Sequence, residues 1–405
     1  MKAVVWHGIG DIRLDDVPEP RIEKPTDAIV RLTASAICGT DLHMIHGTLA
    51  PMKVGTILGH EGVGVIEELG ADVRNFNVGD RVLIPSTIAC GNCAYCRAGC
   101  YSQCDFANPN GKRAGTAFFG GPVTSGSFPG LQAEKARIPF AHVGLIKLPD
   151  DVSDEQAILL SDIFPTGYFG AMLAEITPGD TVCVFGCGPV GLFTVLSAKL
   201  MDAGRVFAID CEPSRLAKAR ELGAEVINFE EEDPIETLLR LTEGIGVDRA
   251  IDAVGVDALR PHRGPAAAKV PVDELERERH ELAPDARLDA QQWIPGDGPS
   301  LALTWAVDGV CKNGTVAVIG VYPETAHTFP IGKAMNKNLT LKLGNCDHRK
   351  IIPIVLDLVR TGVVDPTQVL SHVEPISAAL DAYRHFDHRD AGWIKVELQP
   401  QPITS

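Results

Sequence analysis

The most restrictive feature of this chain is a run of six residues, Gly186-Cys187-Gly188-Pro189-Val190-Gly191, which follows the apolar run Asp180–Phe185 directly and precedes the helix-like Leu192–Met201. Glycines at the first, third and sixth positions of a strand-to-helix turn point to a βαβ unit of a parallel sheet. Gly186 allows the tight turn, Gly188 lets the backbone approach a pyrophosphate, and Gly191 lets helix and strand touch. Pro189 and Val190 open the helix whose N-terminus faces the phosphates. A second strand-like run, Arg205–Ile209, ends in Asp210, 19 residues after Gly191, where a carboxylate binds both hydroxyls of an adenosine ribose. The same carboxylate repels the extra phosphate of NADP, so NAD is the expected coenzyme. Arg215, five residues on, can grip a phosphate or stack on adenine and is counted with the coenzyme-binding residues.

Strand signals at Glu225–Asn228, Arg249–Val254, Gly314–Gly320 and Leu339–Leu343 extend this unit into a doubly wound parallel sheet. Between two of them, Asp257–Ser300 is polar and punctuated by proline; it reads as a solvated insertion with one short helix in Val272–His280, or as a segment serving the coenzyme cleft or a subunit contact. Ahead of the sheet, Val152–Ala174 reads as a helix, with Ser153 as N-cap and Glu155-Gln156 in its first turn.

The first half is written differently. Ala28–Leu32, Gly62–Leu69, Asp80–Pro85 and Ala136–Pro139 are short strands between turns, the pattern of a small barrel. Within it lies Cys90-x2-Cys93-x2-Cys96-x7-Cys104, a spacing that lets a loop wrap a tetrahedral Zn²⁺ with four thiolates. Cys100 is left over. With all four positions filled by protein, such a site is closed and structural. A second group, Cys38-Gly39-Thr40-Asp41-Leu42-His43 with Gly59-His60-Glu61-Gly62, supplies thiolate, imidazole and carboxylate. Its spacing suits a metal site and ordinary packed turn residues equally well.

The 405 residues suggest two or three domains, and 45% hydrophobic with 22% charged residues is ordinary for a soluble globular chain. A net charge of −16, from 37 basic and 53 acidic residues, disfavours nucleic acid and anionic membrane surfaces as partners. Met1–His7 has no export-signal pattern and no uncharged apolar run is long enough to span a bilayer, so a cytoplasmic protein is expected. In that setting eleven cysteines, five of them between Cys90 and Cys104, point to metal before disulfides.

Taken in order, Cys38-Gly-Thr-Asp-x-His43, Gly59-His60-Glu61, the four-cysteine loop, Gly186-x-Gly-x-x-Gly191 and Asp210 resemble the zinc-containing medium-chain alcohol dehydrogenases over nearly the whole chain. Leu160–Gly167 and the long insertion look most like the glutathione-independent formaldehyde dehydrogenase group, whose relatives include aldehyde dismutases. The resemblance implies an α/β fold with a GroES-like β-barrel catalytic domain plus a Rossmann doubly wound parallel-sheet coenzyme domain. Its boundaries would be 1–162 for the first, 163–346 with the insertion 257–300 for the second, and 347–405 returning to complete the catalytic domain.

It further implies two Zn²⁺ per subunit. One is structural, on Cys90, Cys93, Cys96 and Cys104. The other is catalytic, held by Cys38, His60 and Asp162, where the broader family more often has cysteine at the third place, with Glu61 as an occasional fourth ligand. Thr40 matches the hydroxyl that takes the substrate proton, His43 the histidine that passes it on, and Thr166 a residue packing on the nicotinamide. The implied reaction moves a hydride between a small-molecule alcohol or aldehyde and NAD, in a homodimer or homotetramer, with Leu339–Leu343 able to join sheets across subunits. One alternative is a formaldehyde dehydrogenase or dismutase whose NAD never leaves, sealed in by the insertion. Another, a scaffold without chemistry, is disfavoured by the intact set Cys38, His60, Asp162 and Thr40. Ser86 stands where the family often has a bulky aromatic, which suggests a wider pocket for a larger or more polar substrate, unless Phe118-Phe119 refill it. His348 falls near the cleft and reads as surface or structural.

Overall fold

Two kinds of sheet follow from the two kinds of strand. The computed structural model describes residues 1–400; residues 401–405, the end of the expected C-terminal segment, lie outside the described residues. The chain divides into two units, one of residues Met1–Pro165, Asp289–Trp293 and Cys346–Ser405, the other of Thr166–Leu288 and Ile294–Asn345.

In the first unit, a seven-stranded sheet runs in the order 372–375, 396–399, 28–37, 62–69, 81–84, 146–147, with 135–138 also paired to 28–37. The strand expected over Ala28–Leu32 continues to Ile37. One edge pairs with 62–69 from Ala28 to Ser35, with register shifts at Ile29/Val30 and Leu32/Ala34 that bend the strand, and the other edge is shared by 135–138 at Ala28–Arg31 and by 396–398 at Ser35–Ile37. That extension ends on Cys38. The residues Gly39–His46, expected as a turn, form a helix whose N-cap is Cys38. Core side chains on the sheet include Val30, Leu32, Ile66, Val82 and Ile84, and the four loop cysteines are buried in the same cluster.

In the second unit, six parallel strands lie in the order 225–228, 205–210, 181–185, 247–252, 310–318, 340–343. Numbered along the chain this is 3-2-1-4-5-6, the Rossmann order, with the order reversing beside the first strand and its glycine turn. The central strands 181–185 and 205–210 are apolar and buried on both faces, as the interior of a parallel sheet requires, while the edge strand 340–343 is exposed.

Two expectations need correction. The helix read over Val152–Ala174 is two helices, Asp154–Leu160 and Ile163–Leu173. Pro165 has no N–H to give the Ser161 carbonyl, so a continuous helix would forfeit that bond. The Ser161 carbonyl instead accepts the Ser86 N–H at 3.2 Å, and Asp162 stands at the break. Ser153 does cap the first helix, in a capping box with Gln156. The insertion is also more ordered than a solvated loop with one helix. It holds helices at Gly264–Ala267 and Val272–Leu282, and its start is fastened by the His262 and Arg263 N–H groups donating to Glu230 at 2.9 and 3.1 Å. Trp293 packs beside Met44, Tyr383 and Phe386 in the first unit, its N–H donating to Asp387 at 3.2 Å. Among the described residues no helix is long and apolar enough to cross a membrane.

Glu397 lies on the strand Val396–Gln399, opposite in phase to the core residues Val396 and Leu398, yet is 1% exposed. Burial, with Glu155 and Asp154 nearby, pushes its carboxyl up to about 7, and Oε2 has no hydrogen-bond partner. Between the unfolded value of about 4.3 and that folded value the native chain holds the extra proton, so this group's contribution to stability falls as pH rises through the window. Glu397→Gln should therefore stabilise the protein by up to about 3 kcal/mol at pH 8 and by little at pH 4. Melting temperatures across that range check it; a gain independent of pH would contradict the assignment.

Candidate metal and coenzyme sites

Cys38, His60, Glu61 and Asp162 come from three places: the N-cap of the Gly39–His46 helix, the turn before the Gly62–Leu69 strand, and the helix break. One ligand atom from each lies within 4.8 Å of the others, and all four residues are buried. Cys38 Sγ is 3.7 Å from Asp162 Oδ2, which is 3.3 Å from His60 Nε2. A tetrahedral Zn²⁺ with bonds of about 2.0 Å to N or O and 2.3 Å to S holds such atoms roughly 3.3–3.5 Å apart, so the donors fit the ion.

The charge balance fits as well. Burial pushes the Cys38 thiol up, although His60 pulls it down. Burial disfavours the charged His60 ring, but Asp41, Cys38 and Asp162 outweigh it and hold the imidazole well above its ordinary value. The pocket is short of positive charge, and Glu61 Oε2 is buried without a partner.

Several supporting residues were not singled out in the sequence. Asp41, fully buried, places Oδ1 3.4 Å from His60 Nδ1 and accepts the Cys38 N–H at 3.0 Å through Oδ2. It thereby orients two ligands, in the carboxylate–histidine arrangement common around zinc. Gln132 donates to Asp41 at 3.3 Å and accepts from the Tyr383 hydroxyl at 2.8 Å. Lys395, also fully buried, reaches Glu61 Oε1 at 2.5 Å and the Ile37 carbonyl at 2.9 Å. The expectation that His348 is surface or structural is corrected: it is 3% exposed and its Nε2 lies 2.7 Å from Asp162 Oδ1. Asp41 alone carried a signal, its place inside the Cys38–His43 motif.

Thr40 Oγ1 lies 3.9 Å from Cys38 Sγ, and His43 is buried with Nδ1 3.3 Å from the Thr48 hydroxyl. Ser86 is directed at Asp162 Oδ1 and His348 Nε2, 3.3 and 3.4 Å away, so its polarity is used inside the protein. Phe118 stands edge-on to the His60 ring at 6.2 Å.

The other cluster is Cys90, Cys93, Cys96 and Cys104, with Cys90–Cys96 and Cys93–Cys104 sulfurs each 4.0 Å apart. Backbone N–H groups of Cys90, Asn92 and Cys96 point at three of these sulfurs, at 3.2 to 3.4 Å, an arrangement that favours thiolates. Burial opposes ionisation of Cys93, but N–H groups of Cys96 and Asp105 bring it down to about 7. Cys100 is exposed, outside the group.

In the second unit, Gly186 has φ +91°, and a side chain at Gly191 would collide with the Gly186 carbonyl. A side chain at Gly188 would meet only the tip of Arg215, 4.0 Å away, so the loop keeps an open cradle. Gly188 caps the Pro189–Leu200 helix without a side-chain acceptor, which leaves the first-turn N–H groups, Val190 included, for an anion. Asp210 closes the far side: Oδ2 accepts the Cys187 N–H at 2.7 Å, and Oδ1 accepts those of Cys211 and Glu212 at 2.7 and 2.9 Å. Thr166 is half-buried in the Ile163–Leu173 helix.

Comparison with known proteins adds to this geometry. The family described as alcohol dehydrogenase GroES-like domain matches residues 24–150, and that described as zinc-binding dehydrogenase matches 189–261. The chain is 39% identical over 404 residues to an uncharacterized zinc-type alcohol dehydrogenase-like protein, AdhB, of Bacillus subtilis, covering 99% of this chain and 100% of that one. It is 34% identical over 349 residues to the glutathione-independent formaldehyde dehydrogenase of Pseudomonas aeruginosa, covering 82% and 84%. Among solved structures, the alcohol dehydrogenase TADH from Thermus sp. ATN1 superposes with a TM-score of 0.79 at 33% identity, covering 98% of this chain and 99% of that one.

The Lys395–Glu61 pair yields a direct test. Removing the cation strands a buried carboxylate, so Lys395→Met should cost about 3–5 kcal/mol, read as a fall in melting temperature. The double variant Lys395→Met/Glu61→Gln should recover most of the loss; equal losses in both would mean the pair is not what holds this region.

Proposed function

Because the chain belongs to the zinc-containing medium-chain alcohol dehydrogenase family, we propose that it is an NAD-dependent enzyme carrying two zinc ions per subunit, one catalytic and one structural. The family reaction is hydride exchange between the carbon of an alcohol or aldehyde and a nicotinamide coenzyme. Cys38, His60 and Asp162 would hold the catalytic ion, with Glu61 in reserve, and the four loop cysteines the structural one. A zinc ion there supplies Lewis acidity toward the substrate oxygen. Thr40, beside Cys38, would accept the hydroxyl proton, and His43, beside Thr48, would carry it onward. Thr166 would pack on the nicotinamide.

Asp210 is the observation that favours NAD over NADP. Three backbone N–H groups fix it as a rigid acceptor beside the Gly188 cradle, where an extra ribose phosphate would meet a carboxylate. Arg215 reaches the same loop and suits a pyrophosphate. The ratio of kcat/KM for NAD over NADP should be about 100 or more and should fall at least about tenfold in Asp210→Ser, the worth of one hydrogen bond to a charged group. A wild-type enzyme that takes NADP equally well overturns this reading.

A second reading, an aldehyde-oxidising or dismutating enzyme that retains its NAD, is favoured by the ordered insertion. Its first turn is bonded to Glu230, just past the strand beside Asp210, and Ser300 is tied back to Glu278 at 2.6 Å. Protein purified and dialysed without nucleotide, then denatured, should release close to one NAD(H) per subunit on this reading; empty protein that turns over added NAD with alcohols would leave the exchanging dehydrogenase. A homodimer or homotetramer in the cytoplasm completes the proposal. It is supported by the open sheet edge at Thr340–Leu343, where Leu341 and Leu343 are exposed, and by a cysteine set that forms no disulfide among the described residues.

A further inference from the structure

Asp162 brings two oxygens to a place where a thiolate would bring one atom. Oδ2 faces Cys38 and His60, at 3.7 and 3.3 Å. Oδ1 faces the other way, 2.7 Å from His348 Nε2 and 3.3 Å from the Ser86 hydroxyl. A carboxylate can only accept, so Nε2 carries the hydrogen and donates it to Oδ1.

His348 is held in place on every side. It is 3% exposed, its Nδ1 lies 3.3 Å from the Thr87 hydroxyl, and it is the first residue of the His348–Arg360 helix. The residue before it, Asp347, accepts both the N–H and the hydroxyl of Ser102, at 2.8 and 2.9 Å, from within the four-cysteine loop. The imidazole is thus fixed from its own helix, from residues 86–87 and from the loop.

We propose that His348 is a positioning residue that makes Asp162 a one-oxygen metal ligand. By occupying Oδ1 it stops the carboxylate from turning both oxygens to the ion, so that a coordination position stays open for the substrate. The inference rests on the reading of Cys38, His60 and Asp162 as a zinc site. Without His348, the carboxylate regains rotation about its terminal bond and either chelates through both oxygens or leaves one buried and unpaired. Loss of a hydrogen bond of this kind to a ligand costs about 10–100-fold in metal affinity.

The test uses the full-length enzyme with Co²⁺ exchanged for Zn²⁺, because the visible d–d bands report coordination number without turnover. Metal per subunit is followed against a chelator at the same time. His348→Ala should release one of the two metals about 10–100-fold faster, while the second metal and the melting temperature stay near wild type. Its cobalt bands should weaken toward the pattern of a higher coordination number, and His348→Gln, which keeps an N–H donor, should recover part of the tetrahedral spectrum. In an Asp162→Cys background, His348→Ala should change metal release by less than about twofold, since a single sulfur leaves no second atom to restrain. Wild-type release and spectrum in His348→Ala overturn the proposal, and so does an equal loss with Cys at 162, which would mark His348 as general packing. If His348→Ala sheds both metals and unfolds, the His348→Gln spectrum decides alone: the same spectrum as wild type supports the proposal, and a five-coordinate one overturns it. A wild-type protein that binds only one metal would instead refute the underlying zinc reading.

Discussion

The structure depends on a set of ionisable groups taken out of water together. Cys38, His60, Glu61 and Asp162 are all under one-tenth exposed, and behind them Asp41 and Lys395 are wholly buried. Burying an isolated charge is prohibitively costly, so each of these groups requires a partner of the right sign at the right atom. The partners come from the 28–37 strand, the Gly39–His46 helix, the segment after Gly59, the helix break and Lys395, just ahead of the final strand. The barrel is in this sense organised around its charges, with its apolar clusters filling the space between.

Two carboxylates at the pocket are treated differently. Asp162 has one oxygen toward Cys38 and His60 and the other toward His348 and Ser86, and burial would push it up, but His348 and His60 hold it well below the ordinary carboxylate range. Glu61 has one oxygen on Lys395 and the other without a partner, and burial pushes it up while Lys395 pulls it down. The first is a committed ligand, kept ionised by its surroundings. The second is a poised one, restrained at Oε1 and able to offer only Oε2.

What could be read from the sequence was local. Gly186–Gly191 and the Cys90–Cys104 loop each close their geometry within about fifteen residues, so spacing and turn chemistry are enough to state it. Asp162 has no such neighbourhood: it meets Cys38 from 124 residues away and became visible only through family resemblance. Lys395 gives no signal at all, and for His348 only the resemblance puts it near the cleft, without a role, since they meet Glu61 and Asp162 from 334 and 186 residues away and neither sits in a motif. The helix break is weakly encoded, because Pro165 lies close enough to a helix start to be tolerated there, and the rival Ser86 N–H on the Ser161 carbonyl is what makes the break the better arrangement.

That break also governs how the gene can change. Asp162 is the seam between Asp154–Leu160 and Ile163–Leu173, and each residue added to or removed from a helix turns everything beyond it by about 100°. A single-codon insertion in the first helix would swing the carboxylate away from Cys38 even though every ligand were still encoded. The stretch from Ser153 to Pro165 is therefore locked in length as well as in identity. Reading-frame-preserving indels can accumulate elsewhere, in surface stretches such as 284–288, without changing the phase of any ligand.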